Sequence, residues 1–188
     1  MNYHNITTDN MNNGEGLRVV LWLSGCSHHC KGCQNPQTWD ENSGIEFDIS
    51  AKNEIFEELS KDYISGITFC GGDPLHESNL DNVLNLIEEI REQFPDKTIW
   101  LYTGYEYEEI MDYVEQCDLS DDYGYQIMMC NYEYETRQEI IKQCDVLVDG
   151  RYEDNKRDVL LHWRGSSNQR VIDVKESLKQ NKVVLYDT

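Results

Sequence analysis

Short runs of branched and aromatic residues, separated by stretches in which apolar positions recur every three or four residues, set the pattern of this chain. Residues 18–23, 66–69, 98–102 and 145–148 are compact apolar runs, and such runs bounded by turn residues predict buried strands. Between them the period lengthens to that of a helix. Ser50 can cap a helix presenting Ile55, Phe56 and Leu59, and Ser78 with Asp81 resembles a capping box. The helix that follows Ser78 presents Leu80, Val83, Leu84, Ile87, Ile90 and Phe94 and stops at Pro95. Tyr107, Ile110, Met111 and Val114 repeat at helical spacing, and a further helix precedes Asp145. This alternation predicts an α/β fold with a parallel sheet and right-handed crossovers. A closed barrel takes about 250 residues, more than the 188 present, so the expected form is a partial, open (β/α) barrel.

Two stretches depart from the alternation. Residues 118–135, with Asp121-Asp122-Tyr123-Gly124 and several tyrosines, read as an insertion or long loop. Residues 150–188 read as a C-terminal tail with one short helix at 174–179 and a final strand at 183–186. One domain over residues 1–188 is the expected organisation.

The unusual residues gather at one place in this pattern. Ser24-Gly25-Cys26 follows the first run, Cys70-Gly71-Gly72-Asp73-Pro74 the second, Thr103-Gly104-Tyr105 the third and Asp149-Gly150-Arg151 the fourth. All four lie at the carboxyl ends of the predicted strands, the edge at which parallel α/β folds bind ligands.

Composition narrows the class. At 39% hydrophobic residues with only 3 Pro and 12 Gly, the chain is apolar enough to fold despite a net charge of −20. That charge argues against nucleic acid as a direct ligand and against anionic membranes, since both draw affinity from Lys and Arg. It is unevenly spread: residues 1–97 carry −11, residues 98–136 carry ten acids and no base, and residues 137–188 carry +1. Arg151, Lys156, Arg157, Arg164 and Arg170 make the tail a candidate docking element for a partner, or a cover packed over the sheet. The longest apolar stretch, Val19-Val20-Leu21-Trp22-Leu23, is far below the roughly 20 residues of a membrane span. The start carries no basic flank and apolar segment of a signal peptide, so a cytoplasmic location is expected.

Seven cysteines in a reducing compartment read as metal ligands or free thiols. Cys26, Cys30 and Cys33 form a C-x3-C-x2-C loop directly after the first strand. Three thiolates at this spacing can wrap one face of a 4Fe-4S cluster, and because protein-held clusters generally use four, one iron stays open. A zinc site of Cys3His type, drawing on His28 or His29, is the competing reading. Cys70 reads as a small buried hydrophobe, and Cys117, Cys130 and Cys144 share no ligand spacing. His28 and His29 read as solvated loop histidines, the tyrosines at 102, 105, 107 and 113 as packing residues, and the acids from Glu106 to Asp122 as a solvated face.

The cysteine loop resembles the signature of the radical S-adenosylmethionine superfamily. The chain more widely is similar to the anaerobic ribonucleoside-triphosphate reductase activating proteins, in segments that occur in the same order. These are Asn13-Gly14-Glu15-Gly16, Gly25 to Cys33 with Asn35 and Trp39, Gly71-Gly72-Asp73-Pro74-Leu75-His76, Trp100 to Tyr105, Val146 to Gly150, and Trp163-Arg164-Gly165-Ser166-Ser167-Asn168-Gln169. The resemblance covers most of the chain except the acidic stretch 117–143.

The resemblance implies that S-adenosylmethionine chelates the open iron through its amino and carboxylate groups. Gly71 and Gly72 would let the backbone approach the amino group, Asp73, where Glu is commoner in the superfamily, would balance its charge, and Pro74 would fix the turn. Gly32 stands where many members carry an aromatic against the adenine, so Gln34 or the backbone at Cys33 is left for that contact. Thr103 and Gly104 would neighbour the ribose or methionine, although each is equally read as part of an ordinary turn. By the same resemblance, the reduced cluster cleaves the cofactor to methionine and a 5′-deoxyadenosyl radical, which takes a hydrogen from a glycine of the reductase. A low-potential donor such as a flavodoxin would supply the electron. Other readings are a pyruvate formate-lyase activating or 7-carboxy-7-deazaguanine synthase type of enzyme, and, outside enzymes, an iron-sulfur electron carrier or zinc module.

Overall fold

Four parallel strands form the centre of a seven-stranded sheet of order β3-β1-β2-β4-β5-β6-β7. The computed structural model describes residues 1–112 and 124–186, with side chains described from residue 128 in the second part. The central strands are β2 (Leu17–Leu23), β4 (Ile64–Gly71), β5 (Thr98–Tyr102) and β6 (Val146–Asp149), each overlapping one of the four apolar runs. They pair in parallel, β2 with β4, β4 with β5 and β5 with β6. Both flanks are antiparallel: β1 (Asn2–Asn10) pairs with β2 and with the short β3 (Ile45–Glu46), and β7 (Arg170–Asp173) pairs with β6. The sheet does not close.

The flanks correct the expectation of a wholly parallel sheet. β1 reads Asn-Tyr-His-Asn-Ile-Thr-Thr-Asp-Asn, and only Tyr3 within it is buried, so it lacked an apolar run to betray it. The strand expected at 183–186 is reduced to a single bridge between Leu185 and Ile172.

Five helices are described: α1 (Ile49–Leu59), α2 (Leu80–Gln93), α3 (Tyr107–Met111), α4 (Gly124–Gln143) and α5 (Val174–Gln180). Asp48 rather than Ser50 caps α1, accepting the Ala51 amide at 2.9 Å. Asn79 rather than Ser78 caps α2 and makes no side-chain cap bond; its Nδ2 donates to Ser24 O and Asp73 O, which points the side chain toward the loop after β2. The loop expected across 118–135 is helical from Gly124 onward, while residues 118–123 lie outside the described residues, as does Val114.

Strand alternation gives the sheet two different faces. Val19, Leu21, Leu23, Ile67, Phe69, Ile99, Leu101 and Leu147 share one buried core with Ile55, Leu59, Val83, Ile87, Ile90, Ile110, Ile140 and Val174 of the helices. Trp100, Val146, Val148 and Val171 form a second, smaller cluster on the other face, joined by Tyr102, Trp163 and Tyr186. The foot of that face is polar. Arg18 is fully buried there and spends all five of its donors, on Thr68 Oγ1, Thr98 Oγ1 and the carbonyls of Glu15, Ile67 and Thr98, at 2.7–3.1 Å. Its guanidinium lies 5.4 Å from the Trp100 ring, and although burial lowers its pKa to about 10 it stays charged at neutral pH.

Asp145, just before β6, ties three elements together. It accepts from the Ile99 amide at 2.7 Å, Arg91 Nη2 at 2.8 Å and Lys175 Nζ at 2.5 Å. Burial alone would raise its pKa, and these bonds together hold it below the ordinary carboxylate value. A depressed folded pKa stabilises above the unfolded value, about 3.9, and that contribution is lost as pH falls through the lower folded value. Asp145→Asn is therefore expected to lower stability by about 1–2 kcal/mol at pH 7 and to flatten the acid limb of stability below about pH 4. Urea midpoints measured across that range test it, and an unchanged acid limb would refute it.

Candidate functional site

The cysteine loop leaves β2 through Ser24 and Gly25, whose φ of +90° suits glycine. Gly25 and Cys26 donate their amides to Thr38 O at 2.8 Å and Trp39 O at 3.0 Å, so the loop closes on itself across a short 3-10 turn at Pro36–Thr38. Asn35 donates its amide to Cys33 Sγ at 3.3 Å, and Cys33 donates to Cys30 O at 3.1 Å. His29 is exposed and stacks on Trp39 with ring centroids 4.8 Å apart.

Cys26, Cys30 and Cys33 are free, half-buried thiols. Burial, with the charge of Asp73 adding to it, pushes Cys26 up to about 11, and burial raises Cys30 as well. Metal-free, both are protonated at neutral pH, so ligand binding at these sulfurs releases protons. Among the described residues no three His, Cys, Asp or Glu groups converge to hold a single metal ion. A cubane makes no such demand, since each thiolate meets a different iron, and an all-thiolate donor set suits it.

The Gly-Gly-Asp turn after β4 sits against the root of this loop. Gly71 has φ +99°, and a Cβ there would lie 2.8 Å from Leu23 N, while a Cβ on Gly72 would lie 2.5 Å from Gly25 O. Gly72 N donates to Leu23 O and Asp73 N to Gly25 O, both at 2.7 Å. The two glycines are thus required by the approach of β2 and β4 to one another.

Asp73 is 2% exposed and joins three strand ends. Its Oδ1 accepts from Leu75 N at 2.9 Å, its Oδ2 from Gly104 N at 2.9 Å and His28 Nε2 at 2.8 Å, and Thr103 Oγ1 reaches both oxygens at 3.0 Å. His28 is therefore no solvated loop histidine: its side chain is 4% exposed, pairs with Asp73 and packs edge-on against Tyr105 at 4.6 Å. Gly104 makes room for it, since a Cβ there would meet the His28 ring at 2.3 Å.

Cys26, Cys30, Cys33, Gln34, Gly71, Gly72, Asp73, Thr103 and Gly104 all line one cavity of about 700 Å³ at the carboxyl ends of the parallel strands. That volume is in the range of cofactor sites. Gly32 stands outside it, because its space is taken by Asp154, whose Oδ1 lies 2.9 Å from a Cβ built there. Trp22 and Tyr102 supply aromatic walls, where the sequence alone points to Tyr102 as a packing residue and gives Trp22 no role beyond its strand. Cys70, whose thiol burial pushes up, contributes a further part of the wall. Period-two alternation of Trp22 with Leu21 and Leu23, and of Tyr102 with Leu101, was the available signal for this inward face.

The tail lines one side of the cavity. Trp163 packs edge-on against Trp100 at 5.0 Å, and Gln169 accepts the amides of Gly165 and Ser166 while donating to Gly150 O at 3.0 Å. Tyr152 and residues 161–165 join the cavity lining. Arg170, read as part of a docking element, is instead consumed: it pairs with the buried Asp149 and with Glu108, which anchors β7 to β6 and α3. Cys144 is buried with its thiol pushed up to about 12, Cys130 is half-buried on α4, and Cys117 lies outside the described residues.

Known proteins resemble this chain in sequence. A family model described as a 4Fe-4S single cluster domain matches residues 12–172. The anaerobic ribonucleoside-triphosphate reductase-activating protein of Enterobacteria phage T4 is 39% identical over 91% of this chain and 93% of its own length. The proteins of the same name from Escherichia coli K12 and Pasteurella multocida are 36% and 35% identical, over 91% and 90% of this chain and 97% and 95% of their own. No described helix is long and apolar enough to cross a membrane. Likeness of this degree, running nearly from end to end and carried by proteins of one description, places the chain in the family of anaerobic ribonucleoside-triphosphate reductase-activating proteins.

Proposed function

We propose that this chain is a radical S-adenosylmethionine enzyme that installs a glycyl radical on an anaerobic ribonucleoside-triphosphate reductase. The observation that carries this reading is the meeting of the three loop thiols with the Gly71-Gly72-Asp73 turn and Thr103-Gly104 in one cavity. When bound there, a 4Fe-4S cluster and S-adenosylmethionine supply reductive cleavage to a 5′-deoxyadenosyl radical able to take a hydrogen from glycine.

The chain's own residues bind, orient and shield. Cys26, Cys30 and Cys33 would hold the cluster from one loop, with three thiolates where clusters held by protein alone generally use four. The rim of Gly71 and Gly72 brings backbone close to the methionine end, while Asp73, through Thr103 and Gly104, fixes the third strand end beside it. Trp22, Tyr102 and Trp163 enclose the cavity with apolar surface, which supplies the adenine contact that Gly32 does not and limits access of water. A sheet that does not close, as in a partial, open barrel, would leave the rim accessible to a peptide of the reductase, and a low-potential donor such as a flavodoxin would provide the electron.

Anaerobic reconstitution followed by chemical reduction, with 5′-deoxyadenosine and the glycyl radical signal both measured, tests the reading. Cleavage with a radical on the reductase is expected. Cleavage without any radical on the reductase would overturn the target, and no cleavage at all would overturn the chemistry.

A further inference from the structure

Among the described residues that line the cavity, Arg164 is the only arginine or lysine and Asp73 the only carboxylate. Asp73 is fully engaged within the protein, by His28, Thr103, Gly104 and Leu75. Arg164 is not. Its Nη1 donates to Gln169 O at 2.9 Å, and its Nε is buried with no hydrogen-bond partner among the described residues. An unmet buried donor on a charged group is costly, by about 1–3 kcal/mol. A second buried polar atom of the same cavity wall, Tyr102 Oη, is likewise without a partner among the described residues.

The segment that presents Arg164 is held firmly. Trp163 is seated against Trp100 and Tyr186, and the amides of Gly165 and Ser166 are both tied to Gln169 Oε1. It also borders the cluster-binding loop, since a Cβ built on Gly165 would lie 3.5 Å from Gln34 Nε2, and Gln34 follows Cys33.

We propose that Arg164 anchors the carboxylate of bound S-adenosylmethionine, an assignment that rests on the cofactor proposed above. That molecule carries one anionic group, its carboxylate, and two cationic ones, the ammonium and the sulfonium. The cation of the cavity wall therefore has a single complementary group to meet. A guanidinium suits it, because its planar fork matches a carboxylate in two parallel hydrogen bonds.

Decarboxylated S-adenosylmethionine, which keeps both cations and the adenosine but lacks the carboxylate, separates this role from others. Equilibrium dialysis against the anaerobically reconstituted, oxidised protein would compare the two ligands on wild type, Arg164→Met and Arg164→Lys at equal iron content and equal urea midpoint. Arg164→Met is expected to weaken S-adenosylmethionine by about 10-fold to 100-fold while leaving the decarboxylated ligand within about twofold. Arg164→Lys is expected to recover part of the loss, by keeping the charge without the fork. Should Arg164→Met not fold, Arg164→Gln takes its place in the same comparison. Equal weakening of both ligands would assign Arg164 to cavity shape or to the charge of the cluster and overturn the proposal, as would no weakening of either. A wild type that binds neither ligand would overturn the cofactor reading itself, whereas a wild type that binds S-adenosylmethionine only as tightly as Arg164→Met does would overturn only the anchor.

Discussion

Cys33→Ala is expected to fold but to lose the cluster and, with it, formation of 5′-deoxyadenosine, which should fall by more than about a hundredfold. The loss should exceed the 10-fold to 100-fold that changes in outer-shell partners produce. With Cys33 gone, two thiolates remain in the loop, too few to hold the corners of a cubane against exchange with solvent. The fold should survive because Cys33 is half-buried in a surface loop, and its sulfur serves inside the protein only as an acceptor for the Asn35 amide at 3.3 Å. Cys144→Ala is the matched control: that thiol is buried and donates to Ile140 O at 3.2 Å, so its loss should cost about 1 kcal/mol of stability and no iron. Iron content and the deoxyadenosine assay decide the matter. Full iron and full cleavage in Cys33→Ala would sink the assignment of the loop.

Asp73→Ala should produce the largest loss of stability of any change at the site, about 3–5 kcal/mol. Removing a buried carboxylate strands the buried groups that donate to it, and here four lose their acceptor together: His28 Nε2, Thr103 Oγ1 and the amides of Leu75 and Gly104. The damage should reach the cysteine loop through His28, which sits between Cys26 and Cys30 and is held in place by Asp73 and Tyr105. Asp73→Asn keeps one acceptor oxygen and should lose roughly half as much. Urea titration of the apoprotein measures the stability term, and iron uptake under identical conditions measures the effect on the loop. A variant as stable as wild type would show that the network contributes nothing net, as a fully compensated desolvation would require.

Local features are legible in the order of residues alone. The four apolar runs correspond to β2, β4, β5 and β6 because a buried parallel strand is apolar on both faces, a signature contained within four to six residues. The cysteine loop is equally legible, since its three ligands lie within eight residues and their chemistry follows from residue type. β1 is hidden for the opposite reason: an antiparallel flanking strand, mostly half-exposed, carries few apolar residues. The caps at Asp48 and Asn79 lie one or two residues from the expected positions, because several polar residues in each turn compete for the role and tertiary contacts choose among them.

The site divides along the same line. By itself the sequence determined which atoms are available for chemistry: three thiols at ligand spacing, a Gly-Gly-Asp turn and a Thr-Gly pair, each at the end of an apolar run. Only the tertiary structure decided that Asp73 faces inward to His28 and Thr103, that Gly32 backs onto Asp154, and that Arg170 is spent on Asp149 while Arg164 keeps a donor unmet among the described residues. Arg170 and Asp149 are 21 positions apart, and His28 and Asp73 are 45. No local pattern encodes which of two equally polar side chains ends beside the cavity, because that depends on how strands distant in the chain pair and on how the tail crosses the open face of the sheet.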